Sequence, residues 1–111
     1  MEMVITEASG GTVFSLTGRM DALSAPEVEA KLNPWLEENK RVLVLDLAGL
    51  DYISSAGLRI LLSAAKRMKA RAGVLFLARL QNGVRQVFEI SGFSAILPIY
   101  DTVEAALEAA K

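Results

Sequence analysis

Two adjacent hydroxyls, Ser54 and Ser55, stand between an apolar stretch ending in Tyr52-Ile53 and a helix-like run that begins Ala56-Gly57-Leu58. A hydroxyl in that setting can do one of two things. It can cap the helix by accepting a hydrogen bond from a first-turn N–H, which contributes ~0.5–2 kcal/mol. Or it can accept a phosphoryl group, which brings about −1.5 to −2 charges to a helix end whose free N–H groups favour an anion. Ala56 and Gly57 add little side chain, so a partner could approach the backbone closely there.

Composition closes most other chemistries. Among 111 residues there is no cysteine and no histidine. That removes disulfides, thiolate catalysis, cysteine zinc sites and the imidazole of a Ser-His-Asp triad. Carboxylates alone would suit only a hard ion such as magnesium; no metal site and no cofactor is expected. Neither Gly10-Gly11 nor Ala56-Gly57 has the lysine and Ser/Thr spacing of a P-loop, and the three spaced glycines of a dinucleotide site are missing. With 12 Lys and Arg against 13 Asp and Glu, the chain lacks the basic excess of a nucleic-acid binder. No apolar run approaches the ~20 residues of a membrane span. The opening MEMVITEASGG carries early acids and no apolar signal core. A cytoplasmic binding protein, not an enzyme, is the expectation.

Elements must position the serine pair, and the hydrophobic pattern supplies them. Met3–Thr6 and Thr12–Thr17 read as two strands around a Gly10-Gly11 turn. Gly18–Asp21 reads as a short loop. Ser24-Ala25-Pro26-Glu27 has the spacing of a capping box with proline in the first turn. The helix it opens places Val28, Leu32, Trp35 and Leu36 on one face, with a kink or break expected at Pro34. Arg41–Leu47 is an almost unbroken apolar run, as in a strand covered on both faces. After the serines, Leu58, Leu61, Leu62, Ala65, Met68 and Ala72 recur at helical spacing. Gly73 ends that helix, and Val74–Ala78 is another central strand. Asn82-Gly83 starts a helix with Val84, Val87 and Phe88 inward, which Gly92 stops. Ile96–Tyr100 reads as a short strand, placed at an edge by Pro98. Asp101–Glu104 caps a last alanine-rich helix. The order β-β-α-β-α-β-α-β-α over residues 1–111 describes one α/β domain with a mixed sheet.

Over its whole length the chain resembles a STAS domain of the bacterial anti-sigma factor antagonist kind. The most specific part is VLVLDLAGLDYISSAGLRILLSAAKRMKARAGVLFLARL. Leu16–Asp21, with its Gly-x-x-Asp ending, resembles the family's second strand and loop. Val84–Phe93 resembles the third helix and its stop, and the Ile-Pro-Ile-Tyr strand also fits. The resemblance implies a partner-switching regulator. The unphosphorylated antagonist would bind an anti-sigma factor that is also a serine kinase. Phosphorylation at the start of the second helix would release it, and a PP2C-type phosphatase would reverse the mark. By resemblance the acceptor is Ser55, with Ser54 second. Where many members carry Asp-Ser-Ser-Gly or Asp-Ser-Thr-Gly, this chain has Ser54-Ser55-Ala56-Gly57.

Around that turn, Asp21, Ser54, Ser55, Ala56, Gly57, Arg59 and Ser63 are the candidate partner-binding residues. Asp21 could border Ser55, or simply turn its loop or cap the first helix. Arg59 and Ser63 lie one and two turns beyond Ser55; Lys66 and Arg67 read as solvated. Asp46 is expected at a strand end and Asp51 in a loop. Met68 and Phe88 read as core, whereas Phe93 and Leu97 fit either core or an exposed patch. An alternative is a stand-alone STAS adaptor of a transporter or signalling complex, in which both serines only cap. A nucleotide-binding protein is a third class, disfavoured by the missing P-loop residues.

Overall fold

The structure is a computed structural model that describes residues 1–111. Its elements are β1 (Glu2–Ala8), β2 (Gly11–Met20), α1 (Ala25–Glu37), β3 (Val42–Ile53) and α2 (Ser55–Ala70). They continue with β4 (Val74–Ala78), α3 (Asn82–Ile90), a 3-10 turn (Phe93–Ala95), β5 (Ile99–Tyr100) and α4 (Val103–Ala109). The strands lie in the order β1-β2-β3-β4-β5. β1 is antiparallel to β2, and every later pair is parallel. This is the mixed sheet and the element order expected from the hydrophobic pattern.

After the β1–β2 hairpin, parallel strands added in sequence order, with crossovers of the usual single hand, bring the connecting helices to one face of the sheet. There α1, α2 and α3 bury Leu32, Trp35, Leu61, Met68, Val84 and Phe88 against Phe14, Leu16, Leu43, Leu45, Leu47 and Leu77. On the other face α4 closes a smaller cluster of Val13, Val44, Ala78 and Ala106. β3 therefore has core on both sides, Leu43 and Leu45 facing one cluster and Val44 the other, which is why its sequence does not alternate.

Several expectations need correction. Gly18–Met20 is strand, not loop, because β2 stays paired with β3 as far as Met20 opposite Ile53. Register shifts near Thr17 and Gly18 let the ladder continue, and Gly18, at φ +115°, supplies a backbone that only glycine adopts freely. The longer β3 puts Asp46 in mid-strand, where it pairs with Arg79 at 3.4 Å, and puts Asp51 in the strand as well. The hairpin turn is Ser9-Gly10, since Gly11 already belongs to β2. Ser24 does not form a capping box. Its φ and ψ of −89° and −22° are helical rather than extended, and its hydroxyl is engaged elsewhere. Pro34 does not break α1; the helix runs through to Glu37. The buried side chains of Trp35 and Leu36 hold the turn that the missing N–H weakens. Ala72 lies beyond the end of α2, exposed and at φ +61°. β5 is confined to Ile99–Tyr100, at the edge where Pro98 was expected to place it. Leu97 is buried and Phe93 half-buried.

Candidate functional site

The serine junction is built where the parallel strands β2 and β3 both end. The Ser54 N–H donates to the Met20 carbonyl at 2.8 Å, tying the last residue of β2 to the entrance of α2. That bond holds Ser54 extended, at φ −91° and ψ 173°, and its hydroxyl accepts from the Gly57 N–H at 3.2 Å. Ser54 is therefore the cap. Ser55 is the first helical residue; it is exposed, and its hydroxyl has no hydrogen-bond partner within the chain. The N–H groups of Ser55 and Ala56, too early in the helix for an intrahelical acceptor, also remain free. Replacing Ser54 by Ala is expected to cost ~1 kcal/mol of stability, as for other caps. Urea denaturation will show it, and Ser55 should stay as accessible as before.

Gly57 is buried. A Cβ there would sit 2.9 Å from Ile53 Cγ1 and Met20 Cγ and 3.1 Å from the Met20 carbonyl oxygen. The glycine lets α2 descend onto the end of β2. Ala56 is half-buried beside it.

Asp21 follows Met20 directly and organises the loop. Its Oδ1 accepts from the Leu23 and Ser24 N–H groups at 3.0 Å each. The Ser24 hydroxyl donates to the Arg19 carbonyl at 2.5 Å and accepts from the Asp21 N–H at 2.9 Å. The Ser24 N–H above all holds the Asp21 carboxyl below its usual pKa. A carboxyl depressed in the folded state stabilises above its unfolded pKa and loses that effect as pH falls through the folded value. Asp21→Ala is thus expected to lower the melting temperature at neutral pH, with the deficit shrinking as the pH falls below the ordinary aspartate range and wild-type Asp21 protonates. Melting curves across that range check the sign.

Arg59, one turn beyond Ser55, shares an open groove with it. Ser55, Leu58, Arg59, Leu62 and Phe93 line about 220 Å³ of space between α2 and the 3-10 turn. The helical stripe thus divides: Leu61, Ala65 and Met68 are buried, while Leu58 and Leu62 are only half-buried and floor the groove. Ser63 is not part of it. It lies in the seam between α1 and α2, beside Asn33 and Arg67. Three residues not anticipated lie on the strands and loop next to the junction. The Arg19 guanidinium stacks over Tyr52 at 4.2 Å, Tyr52 is 40% exposed, and Leu23 is 86% exposed. Only the exposure of an apolar loop residue and an aromatic strand end signals them, and sequence does not report exposure. No group of three His, Cys, Asp or Glu side chains converges as a metal site. No helix is long and apolar enough to cross a membrane.

A five-strand mixed sheet with a capping serine and an exposed serine at the head of α2 defines a class. The family model for the STAS domain matches residues 2–106, and the chain belongs to the STAS family. Among its relatives, BtrV of Bordetella bronchiseptica, named as an anti-sigma factor antagonist, is 41% identical over 111 residues, 100% of this chain and 96% of that one. The anti-sigma-B factor antagonist of Listeria monocytogenes is 33% identical over 84 residues, 76% of this chain and 74% of that one. In structure the chain is similar to an anti-sigma factor antagonist from Mycobacterium paratuberculosis, with a TM-score of 0.90 at 24% identity, covering 98% of this chain and 92% of the other. That likeness confirms the expected fold.

Proposed function

We propose that the protein is an anti-sigma factor antagonist whose switch is the phosphorylation of Ser55. It binds an anti-sigma factor when Ser55 is free and lets go when Ser55 is phosphorylated. The anti-sigma factor acts as the serine kinase, and a PP2C-type phosphatase restores the free hydroxyl. The observation that carries this reading is the division of labour between the serines: Ser54 does the capping, which leaves the Ser55 hydroxyl exposed and unbonded. The names of relatives that match the chain over most of its length supply the partner class.

The surroundings suit a reversible mark. Phosphate on Ser55 would meet the free N–H groups of the first turn and the guanidinium of Arg59, which forms no ion pair in the chain. The fold has no reason to break. The partner surface comprises Ser55, the groove beside it, Arg59, and the Asp21–Leu23 loop across the Met20–Ser54 bond. Ser54 and Gly57 shape this surface from below. Ser63, on the α1 side, lies outside it. The adaptor alternative gives Ser55 no role, whereas its exposed hydroxyl without a hydrogen-bond partner supports the switch.

Phosphopeptide mapping of the protein taken from its own cells, in growth and under stress, tests the switch. Phosphate on Ser55 in one condition and not the other is expected. Phosphate on Ser54 alone, or on neither serine in any condition, overturns it.

A further inference from the structure

We propose that the free edge of β1 is a self-pairing surface, on which a second copy of this chain lays its own β1 antiparallel and joins the two sheets into one. The surface uses different residues from the Ser55 site and does not depend on the phosphorylation reading.

β1 is the outer strand of the sheet, and β2 is its only substantial neighbour. Five of its seven residues are exposed, among them Val4 at 51% and Ile5 at 45%. These two are adjacent, so their side chains leave opposite faces of the strand and the edge is apolar on both. Edge strands are usually kept from pairing by shortness, proline, lysine or a bulge. β1 has none of these: it holds neither proline nor lysine, and its ladder with β2 runs in unbroken register from Glu2 to Ala8. Its outer N–H and C=O groups are a template for another strand.

Alternation along the hairpin shows which groups are free. The two-residue turn Ser9-Gly10 closes on Ala8 and Gly11, which form the first hydrogen-bonded pair of the ladder. Ala8, Thr6, Val4 and Glu2 therefore turn their N–H and C=O toward β2, and Met3, Ile5 and Glu7 turn theirs outward. Two antiparallel copies bond only through these three residues. The register that uses all of them sets Ile5 opposite the partner's Ile5 on the two-fold axis, and Met3 opposite the partner's Glu7. Val4 then lies beside the partner's Thr6, and Glu2 beside the partner's Ala8. Apolar side chains meet at the centre, and no acid faces an acid. The charge of Glu7 is offset within its own chain by Lys40 at 3.2 Å. A slip by one residue would oppose Glu2 to the partner's Glu7, but it would also set outward-facing residues against ones already bonded to β2, so no ladder forms there. The edge is complementary to itself, and that commits it to a second copy of this chain.

The test uses the whole chain in solution. Sedimentation equilibrium is expected to show a mass that rises with concentration from 12.0 kDa to twice that value. Over the same range amide exchange should slow at Met3, Ile5 and Glu7 and stay unchanged at Val4 and Thr6, which β2 already protects. Ile5→Lys puts like charges opposite each other on the axis and should weaken self-association about tenfold or more. Ile5→Glu should do the same, and both variants should keep the wild-type circular dichroism. Mixing the two in equal amounts should restore the dimer, because in this register residue 5 meets residue 5. A mass that stays at 12.0 kDa in millimolar protein overturns the proposal. So does a dimer in which Met3, Ile5 and Glu7 exchange as fast as in dilute protein, or a mixture of folded variants that associates no better than either alone.

Discussion

Phosphorylation of Ser55 is expected to weaken binding to the anti-sigma factor about a thousandfold, equivalent to ~4 kcal/mol. The exposed Ser55 hydroxyl lies at the edge of a groove floored by Leu58, Leu62 and Phe93. A partner that covers this groove takes the hydroxyl out of water at little cost, since a hydroxyl can find a bond. A dianion in the same place is only partly offset by Arg59 and the first-turn N–H groups, and the rest of its charge must be stripped of water against a surface built for the neutral form, which costs several kcal/mol. Ser55→Asp, with one charge, should act in the same direction but less, at roughly tenfold or more. Ser55→Ala should bind as well as the unmodified protein and no longer respond to the kinase. Ser54→Ala should keep the response and lose only the cap. Calorimetry with the cognate anti-sigma factor measures all of these. Equal affinity of the phosphorylated and free forms would remove the switch from the protein's function.

Gly57→Val is expected to destabilise the fold by about 3 kcal/mol, the upper end of the range for overpacking. One of the three contacts that block a Cβ is with main chain, the Met20 carbonyl oxygen. That oxygen cannot move aside, because it also accepts the Ser54 N–H. The helix must lift off the end of β2, and the cap and the exposed serine shift with it. For a domain of this size the melting temperature should fall by roughly 12–20 °C. Gly57→Ala should fall in the same direction by less, since Met20 and Ile53 side chains can yield by a few tenths of an ångström. A Gly57→Val protein that melts with the wild type would show that the close approach of α2 to β2 is not maintained in solution.

The hydrophobic pattern by itself determined the element order and the sheet's mixed character. Periods of two and of about 3.6 are local, and burial imposes them one element at a time. The apolar run through Leu43–Leu47 carried a two-sided burial that the structure confirms, with α4 on the face away from the other helices. The glycine- and serine-rich turn at Ser54–Gly57 marked the place of the proposed site. Element ends were less legible. Whether Gly18–Met20 is loop or strand depends on a ladder partner thirty-odd residues away, and that partner is β3 through Ile53.

Tertiary structure alone decided which serine does what. Ser54 and Ser55 are chemically the same residue, and either would suit a helix N-terminus. The bond from the Ser54 N–H to Met20 selects the extended conformation for Ser54, and that makes it the cap and frees Ser55. Likewise Leu58 and Leu62 share a stripe with Leu61 and Met68, yet only the position of Phe93 and the 3-10 turn turns them into the floor of a groove. Each of these depends on a contact between residues distant in the chain, which no local pattern encodes.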